Sequence, residues 1–145
     1  MRIVVQRTKK SSVKVNSKIV GAIDNGLTLL VGFTDTDTSK EIDYMVDKVI
    51  NLRIFDDENG VMNKCLLDVQ GSILSISQFT LYADASKGRR PSYIKALSGD
   101  KATLLYDEFN RKLKEKNIHV ETGIFGADME VSLINDGPVT ILLEK

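Results

Sequence analysis

The one histidine, His119, and the one cysteine, Cys65, bound the side-chain chemistry open to this 145-residue sequence. A Ser-His-Asp or Cys-His arrangement needs a base within hydrogen-bond reach of its nucleophile, so His119 would have to serve in either. It stands between the polar stretch 114–117 and a strand, where a surface histidine at an element boundary is the plainer reading. Cys65 lies among Asn63, Lys64, Leu66 and Leu67 and reads as structural. One cysteine and one histidine also exclude a disulfide framework and any zinc site built from those ligands. Neither a G-x-x-x-x-G-K-[ST] loop nor a G-x-G-x-x-G turn is present, so a nucleotide cofactor has no motif to rest on. No cofactor and no metal are expected.

Three other stretches carry unusual combinations. Ser77-Gln78-Phe79-Thr80-Leu81 sets hydroxyls, an amide and an aromatic ring at the end of a strongly apolar run. These groups either cap a strand end or floor a pocket. In a pocket, backbone N–H groups and the Thr80 hydroxyl would face a carbonyl oxygen that becomes an oxyanion. Lys87-Gly88-Arg89-Arg90-Pro91-Ser92 is a basic loop stiffened by proline, either simply solvated or furnished with the donors of a phosphate clamp. Asn135-Asp136-Gly137-Pro138-Val139-Thr140 joins the last two apolar alternations. Gly-Pro is a turn dipeptide, and the alternative is a cis bond, which before proline costs only about 0.5–1 kcal/mol over trans.

The elements that must position these groups follow from pattern. Apolar residues are 42% and charged residues 28% of the chain, a globular balance, and the length fits one domain over residues 1–145. Strands are predicted at Ile3–Val5, Ser12–Val15, Ile19–Ile23 and Leu27–Phe33, with a turn at Asp24-Asn25-Gly26. Further strands are expected at Ser72–Phe79, at Asp128–Leu133 and at Val139–Leu143. Two segments switch to helical period. Thr38 and Glu41 form a capping box ahead of Ile42, Met45, Val46 and Val49, while Ala102, Leu105, Tyr106, Phe109 and Leu113 make a second stripe. Each helix has a single apolar face and should lie against a sheet. The expected architecture is α+β, a curved antiparallel sheet or barrel with two amphipathic helices packed outside.

Charge is balanced in total, Lys+Arg 20 against Asp+Glu 20, so no global field draws nucleic acid. It is uneven along the chain, because six cations precede the first acid, Asp24, and a second basic knot lies at residues 87–90. No Trp and 6% aromatics argue against a broad base-stacking sheet. The apolar run near the N-terminus is far shorter than a signal-peptide core, and nothing approaches 18 apolar residues, so a cytoplasmic protein is expected.

Six segments together resemble the D-aminoacyl-tRNA deacylase family: Met1–Arg7 (MRIVVQR), Asn51–Phe55 (NLRIF), Ser77–Tyr82 (SQFTLY), Lys87–Ser92 (KGRRPS), Glu121–Met129 (ETGIFGADM) and Asn135–Thr140 (NDGPVT). The resemblance implies an editing hydrolase that cleaves the ester between a D-amino acid and the 3′-terminal adenosine of tRNA, and that also removes glycine. It implies a homodimer with a barrel-like β fold, acting on tRNA rather than DNA and away from membranes. By the same analogy the Gly137 and Pro138 carbonyls reach into the partner's site, hold the substrate's α-amino group and exclude an L side chain. Ser77, Gln78, Phe79 and Thr80 would line the pocket for the ester and adenosine, with Phe125 and Met129 close by. Hydrolysis would be assisted by the tRNA 2′-hydroxyl, with backbone donors at Phe79 and Thr80 rather than a Thr80 nucleophile. A non-catalytic RNA-end binding module, and a small hydrolase of free D-amino-acid esters, are the alternatives.

Overall fold

The computed structural model describes residues 1–145. Its organising element is β1, one unbroken strand from Arg2 to Val15. Apolar side chains alternate inward at Ile3, Val5, Val13 and Val15, but the middle is polar, and for that reason the sequence suggests two short strands. Two of the buried polar side chains in that stretch, Arg7 and Thr8, find partners, while the Ser11 hydroxyl has none. The Arg7 guanidinium donates to the Ile54 carbonyl at 2.7 Å, and the Thr8 and Thr28 hydroxyls meet at 3.4 Å.

Asn16 and Ser17, both with positive φ, turn β1 back into β2 (Lys18–Ile23), the backbone signature of a type I′ hairpin. β3 (Gly26–Gly32) then pairs antiparallel with the first half of β1, beyond the stretch that β2 occupies. Helix α1 (Ser39–Asn51) follows with its capping box formed: the Thr38 amide donates to Glu41 Oε2 at 2.9 Å, and Thr38 Oγ1 accepts from the Lys40 amide. Ile42, Met45, Val46 and Val49 are all buried. A small hairpin, β4 (Phe55–Asp56) and β5 (Met62–Lys64), leads to β6 (Ser72–Ser77). Helix α2 (Gly99–Glu115) precedes β7 (Val120–Thr122), and β8 (Glu130–Glu144) completes the chain.

The α+β architecture with outer helices holds, and the sheet is mixed. β6 pairs parallel with β3, and β7 parallel with β6. Parallel neighbours need a long crossover, and α1 and α2 are those crossovers. Both helices cover one face in the main core, which joins Ile3, Val5, Leu27 and Leu29 to Met45, Val49, Phe109 and Leu113. The inside of the curl holds a smaller cluster of Val13, Ile23, Leu74 and Ile76. The sheet nearly closes where β2 meets β7. There a Cβ added to Gly21 would stand 2.8 Å from the Thr122 carbonyl oxygen.

β8 corrects the expectation of two strands joined by a turn. It pairs with β1 along nearly its whole length, and the 135–140 segment is an irregularity inside it. Gln6 faces Thr140 and Thr8 faces Asn135, so two steps along β1 oppose five along β8. The three surplus residues bulge out of the ladder, carrying Gly137 and Pro138, whose peptide bond is cis. The strand expected at Ser72–Phe79 also ends early, at Ser77, because residues 79–82 wind into a 3-10 turn.

Gly21 offers a test of the closure. In an open strand a Gly→Ala change gains roughly 0.5–1 kcal/mol. Contact with Thr122 should reverse that sign, so Gly21→Ala is expected to lose about 1–3 kcal/mol in urea unfolding.

Candidate functional site

Strands β3, β6 and β7 run the same way, so their carboxyl ends lie side by side. A cleft of about 330 Å³ opens at that end. Ligand sites at the carboxyl ends of parallel strands are a general consequence of such topology. Val31, Gly32 and Phe33 come from the end of β3, Ile76–Phe79 from the end of β6, and Phe125–Met129 from the loop after β7. Leu97 and Ala102 close the side toward α2.

The 3-10 turn Phe79–Tyr82 is held against the sheet by backbone and by one cation. The Gln78 amide donates to the Val31 carbonyl at 2.7 Å. Gly32 makes the approach possible, since a Cβ there would lie 2.8 Å from the Gln78 carbonyl oxygen. From β1, Arg2 donates through Nη1 to the Leu81 carbonyl at 2.9 Å and through Nη2 to Glu144 at 2.9 Å, with its guanidinium 4.6 Å from the Tyr82 ring centroid. The amides of Phe79 and Thr80 open the turn and therefore have no acceptor within it. Phe79 belongs to the cleft lining, and Thr80 follows it in the turn.

Five residues singled out from the sequence converge here: Ser77, Gln78, Phe79, Phe125 and Met129 all line the cleft. Thr80 does not. Its half-buried hydroxyl accepts a hydrogen bond from Gln78 Nε2. Gly137 and Pro138 are exposed and stand outside their own chain's cleft. They are fixed from behind by Arg7, whose Nε donates to the Asp136 carbonyl at 3.2 Å and pairs with Asp136 Oδ2 at 3.2 Å. Arg7 Nη1 also reaches Asp56 at 3.2 Å. The Asn135 side chain accepts from the Val139 amide at 3.3 Å and donates to Thr140 at 3.0 Å. The bulge is thus internally braced.

His119 and Cys65 lie outside the cleft, and the His119 imidazole, 64% exposed, pairs with Glu121 at 3.1 Å. Asp128 is the one carboxylate on the lining. The sequence reading missed the wall supplied by Val31–Phe33 and Leu97. Those residues look like ordinary strand and linker, and only the parallel pairing of β3 with β6 makes them neighbours of Ser77–Phe79. No cluster of three His, Cys, Asp or Glu side chains stands close enough to hold a metal ion.

Two predictions follow from this scaffolding. Replacing Arg7 with Met strips the bulge of its main anchor and leaves Asp136 and Asp56 without their shared cation. A loss of about 1–3 kcal/mol is expected, below that of a fully buried pair because both acids are partly exposed, together with faster hydrogen exchange at Val139. Burial, reinforced by the charge of Asp37 and opposed by Arg2, pushes the Tyr82 phenol up to about 12. The fold favours the neutral phenol, so this contribution to stability is whole below about pH 10 and is lost as pH rises toward 12. Urea midpoints across that range, with phenolate absorbance of wild type against Tyr82→Phe, check it.

Comparison with known proteins places these features in context. The family model described as D-Tyr-tRNA(Tyr) deacylase matches residues 4–144. A D-aminoacyl-tRNA deacylase of Bacillus cereus (strain B4264) is 58% identical over 145 residues, covering 100% of this chain and 99% of that protein. One of Bacillus cytotoxicus is 57% identical over the same span and coverage. Among solved structures, a protein described as the c-Myc DNA unwinding element binding protein superposes with a TM-score of 0.94 at 40% identity, covering 100% of this chain and 99% of the other. A probable eukaryotic D-amino acid tRNA deacylase, at 20% identity and a TM-score of 0.82 over 98% of this chain and 97% of its own, shares the fold.

Proposed function

This chain belongs to the D-Tyr-tRNA(Tyr) deacylase family, and from that premise we propose that it hydrolyses the ester linking a D-amino acid to the 3′-terminal adenosine of tRNA. The products are the free D-amino acid and tRNA. The observation that carries the reading is the cleft itself, where Ser77–Phe79 meets Phe125 and Met129 beside two unshared backbone amides and no acid–base pair.

In this mechanism the ester carbonyl sits at the lip of the cleft. Water attacks it, and the amides of Phe79 and Thr80 donate to the oxygen as negative charge develops. The terminal 2′-hydroxyl of the tRNA assists the proton transfers, a role for which the cleft offers no histidine or cysteine. Thr80 acts through its backbone, and its hydroxyl is engaged with Gln78. Glycyl-tRNA is a second substrate, because a filter that excludes an L side chain does not require a D one.

That filter is the Gly137-Pro138 bulge of a second copy. Two features of β8 support a homodimer. The strand pairs only with β1, which leaves its other edge open, and Ile134 and Leu142 stand 56% and 60% exposed on it. An open edge with apolar side chains is a surface that proteins ordinarily cover. No helix is long and apolar enough to cross a membrane, and the proposed reaction is that of a cytoplasmic editing enzyme.

The deciding experiment compares hydrolysis of D-tyrosyl-tRNA and L-tyrosyl-tRNA by the purified protein, with and without chelator. Rapid loss of the D ester alone is expected. Thr80→Ala should keep activity within about tenfold of wild type, since a neutral hydroxyl contact is worth about 1 kcal/mol. Near-complete loss with substrate binding retained would overturn the backbone mechanism, and inertness toward both esters would overturn the deacylase reading.

A further inference from the structure

We propose that the surface beside the mouth of the cleft, formed by the Phe79–Tyr93 ring pair and the cations of residues 87–95, seats the single-stranded RNA that precedes the terminal adenosine. This rests on the deacylase reading and extends it beyond the reacting ester. Large aromatic rings are usually well covered. Here the Phe79 and Tyr93 residues are 54% and 42% exposed, and their ring centroids lie 5.2 Å apart in an edge-to-face arrangement. Ile94, beside them, is 94% exposed. Exposed rings next to cations are the usual platform for unpaired bases, because every base has a face to stack.

The charge supports the same occupant. Lys87, Arg89, Arg90 and Lys95 are exposed, take part in none of the ion pairs and crowd into one short stretch of chain. Asp84 is the one acid between residues 83 and 98, and Ser86 engages its carboxylate. The surface is also braced. Asp84 and Ser92 exchange backbone hydrogen bonds of 2.8 and 2.9 Å at the base of the loop. Thr34 Oγ1 donates to the Lys95 carbonyl at 2.7 Å, and the Leu97 amide to Phe33 at 2.9 Å. Phe79 and Leu97 belong to the cleft lining as well, so an RNA strand with its last nucleotide in the cleft leaves across these rings. Bases must be unpaired to use them, which sets this surface apart from a duplex groove.

The test measures binding of a short single-stranded RNA that ends in a 3′ adenosine and carries no amino acid, by fluorescence anisotropy. Wild type is compared with the Arg89→Glu/Arg90→Glu double variant and with Tyr93→Ala. Wild-type affinity should fall with added salt, and each variant should bind about tenfold or more weakly. The same RNA in a duplex should compete about tenfold less well. Hydrolysis of D-tyrosyl-adenosine, too small to reach the loop, should stay within twofold of wild type in both variants, which also shows that they fold. Unchanged RNA affinity in both variants, no wild-type binding, or equal binding of duplex and single strand each overturns the proposal. Failure of wild type to hydrolyse any D ester sinks the deacylase reading instead, and the RNA measurement still decides the platform.

Discussion

Everything in this fold hangs on the pairing of β1 with β8. β1 is the only strand with three partners: β8 runs along one edge, while β3 and β2 share the other. A fourteen-residue template of this kind brings the two ends of the sequence together, and the backbone of Lys145 donates to Met1 at 3.0 Å. Because the ladder holds both above and below Gln6–Thr8, the surplus residues of β8 have nowhere to go but outward. The Gly137-Pro138 bulge is therefore a product of register mismatch. Arg7, within that same stretch of β1, is placed to hold its base.

The cleft depends on a different feature of the same sheet. Parallel strands put like ends together, and the three carboxyl ends of β3, β6 and β7 deliver backbone and small side chains to one place. What the cleft presents is accordingly polar backbone with an apolar wall rather than a constellation of titrating side chains. The cleft's rigidity comes from close backbone approaches, Val31 to Gln78 and Gly32 to the turn, and from Arg2 bridging β1, β8 and Leu81.

Charge is used locally. The chain is neutral overall, and many of its acids and bases pair off on helix surfaces or brace the bulge. Such exposed pairs add little to stability individually. The basic loop beside the cleft is free of ion pairs, as Lys10, Lys14 and Lys18 are, whereas Arg2, Arg7 and Lys9 near the N-terminus are engaged. A run of basic residues in sequence does not separate those two cases.

Local physics was legible in the residues. The capping box at Thr38 and Glu41, the buried stripes of both helices and the apolar strands 27–32 and 72–77 follow from short-range hydrogen bonding and periodic burial. The motif segments 77–79 and 125–129 were recognisable, and all eight of their residues line one cleft. Strand continuity through Arg7 and Thr8, the bulge in place of a turn at 135–140, the parallel pairing of β3 with β6, and the contribution of Val31–Phe33 to the cleft were not legible. Each depends on a partner far away in sequence. A buried arginine is tolerable only once Ile54, Asp56 and Asp136 arrive to satisfy it, and a strand's direction is set by the crossover that returns it to the sheet. The sequence by itself determined which segments could form elements and which chemistry was missing. Tertiary structure alone decided which backbone groups face one another, because nonlocal pairing, unlike capping or periodicity, leaves no mark on neighbouring residues.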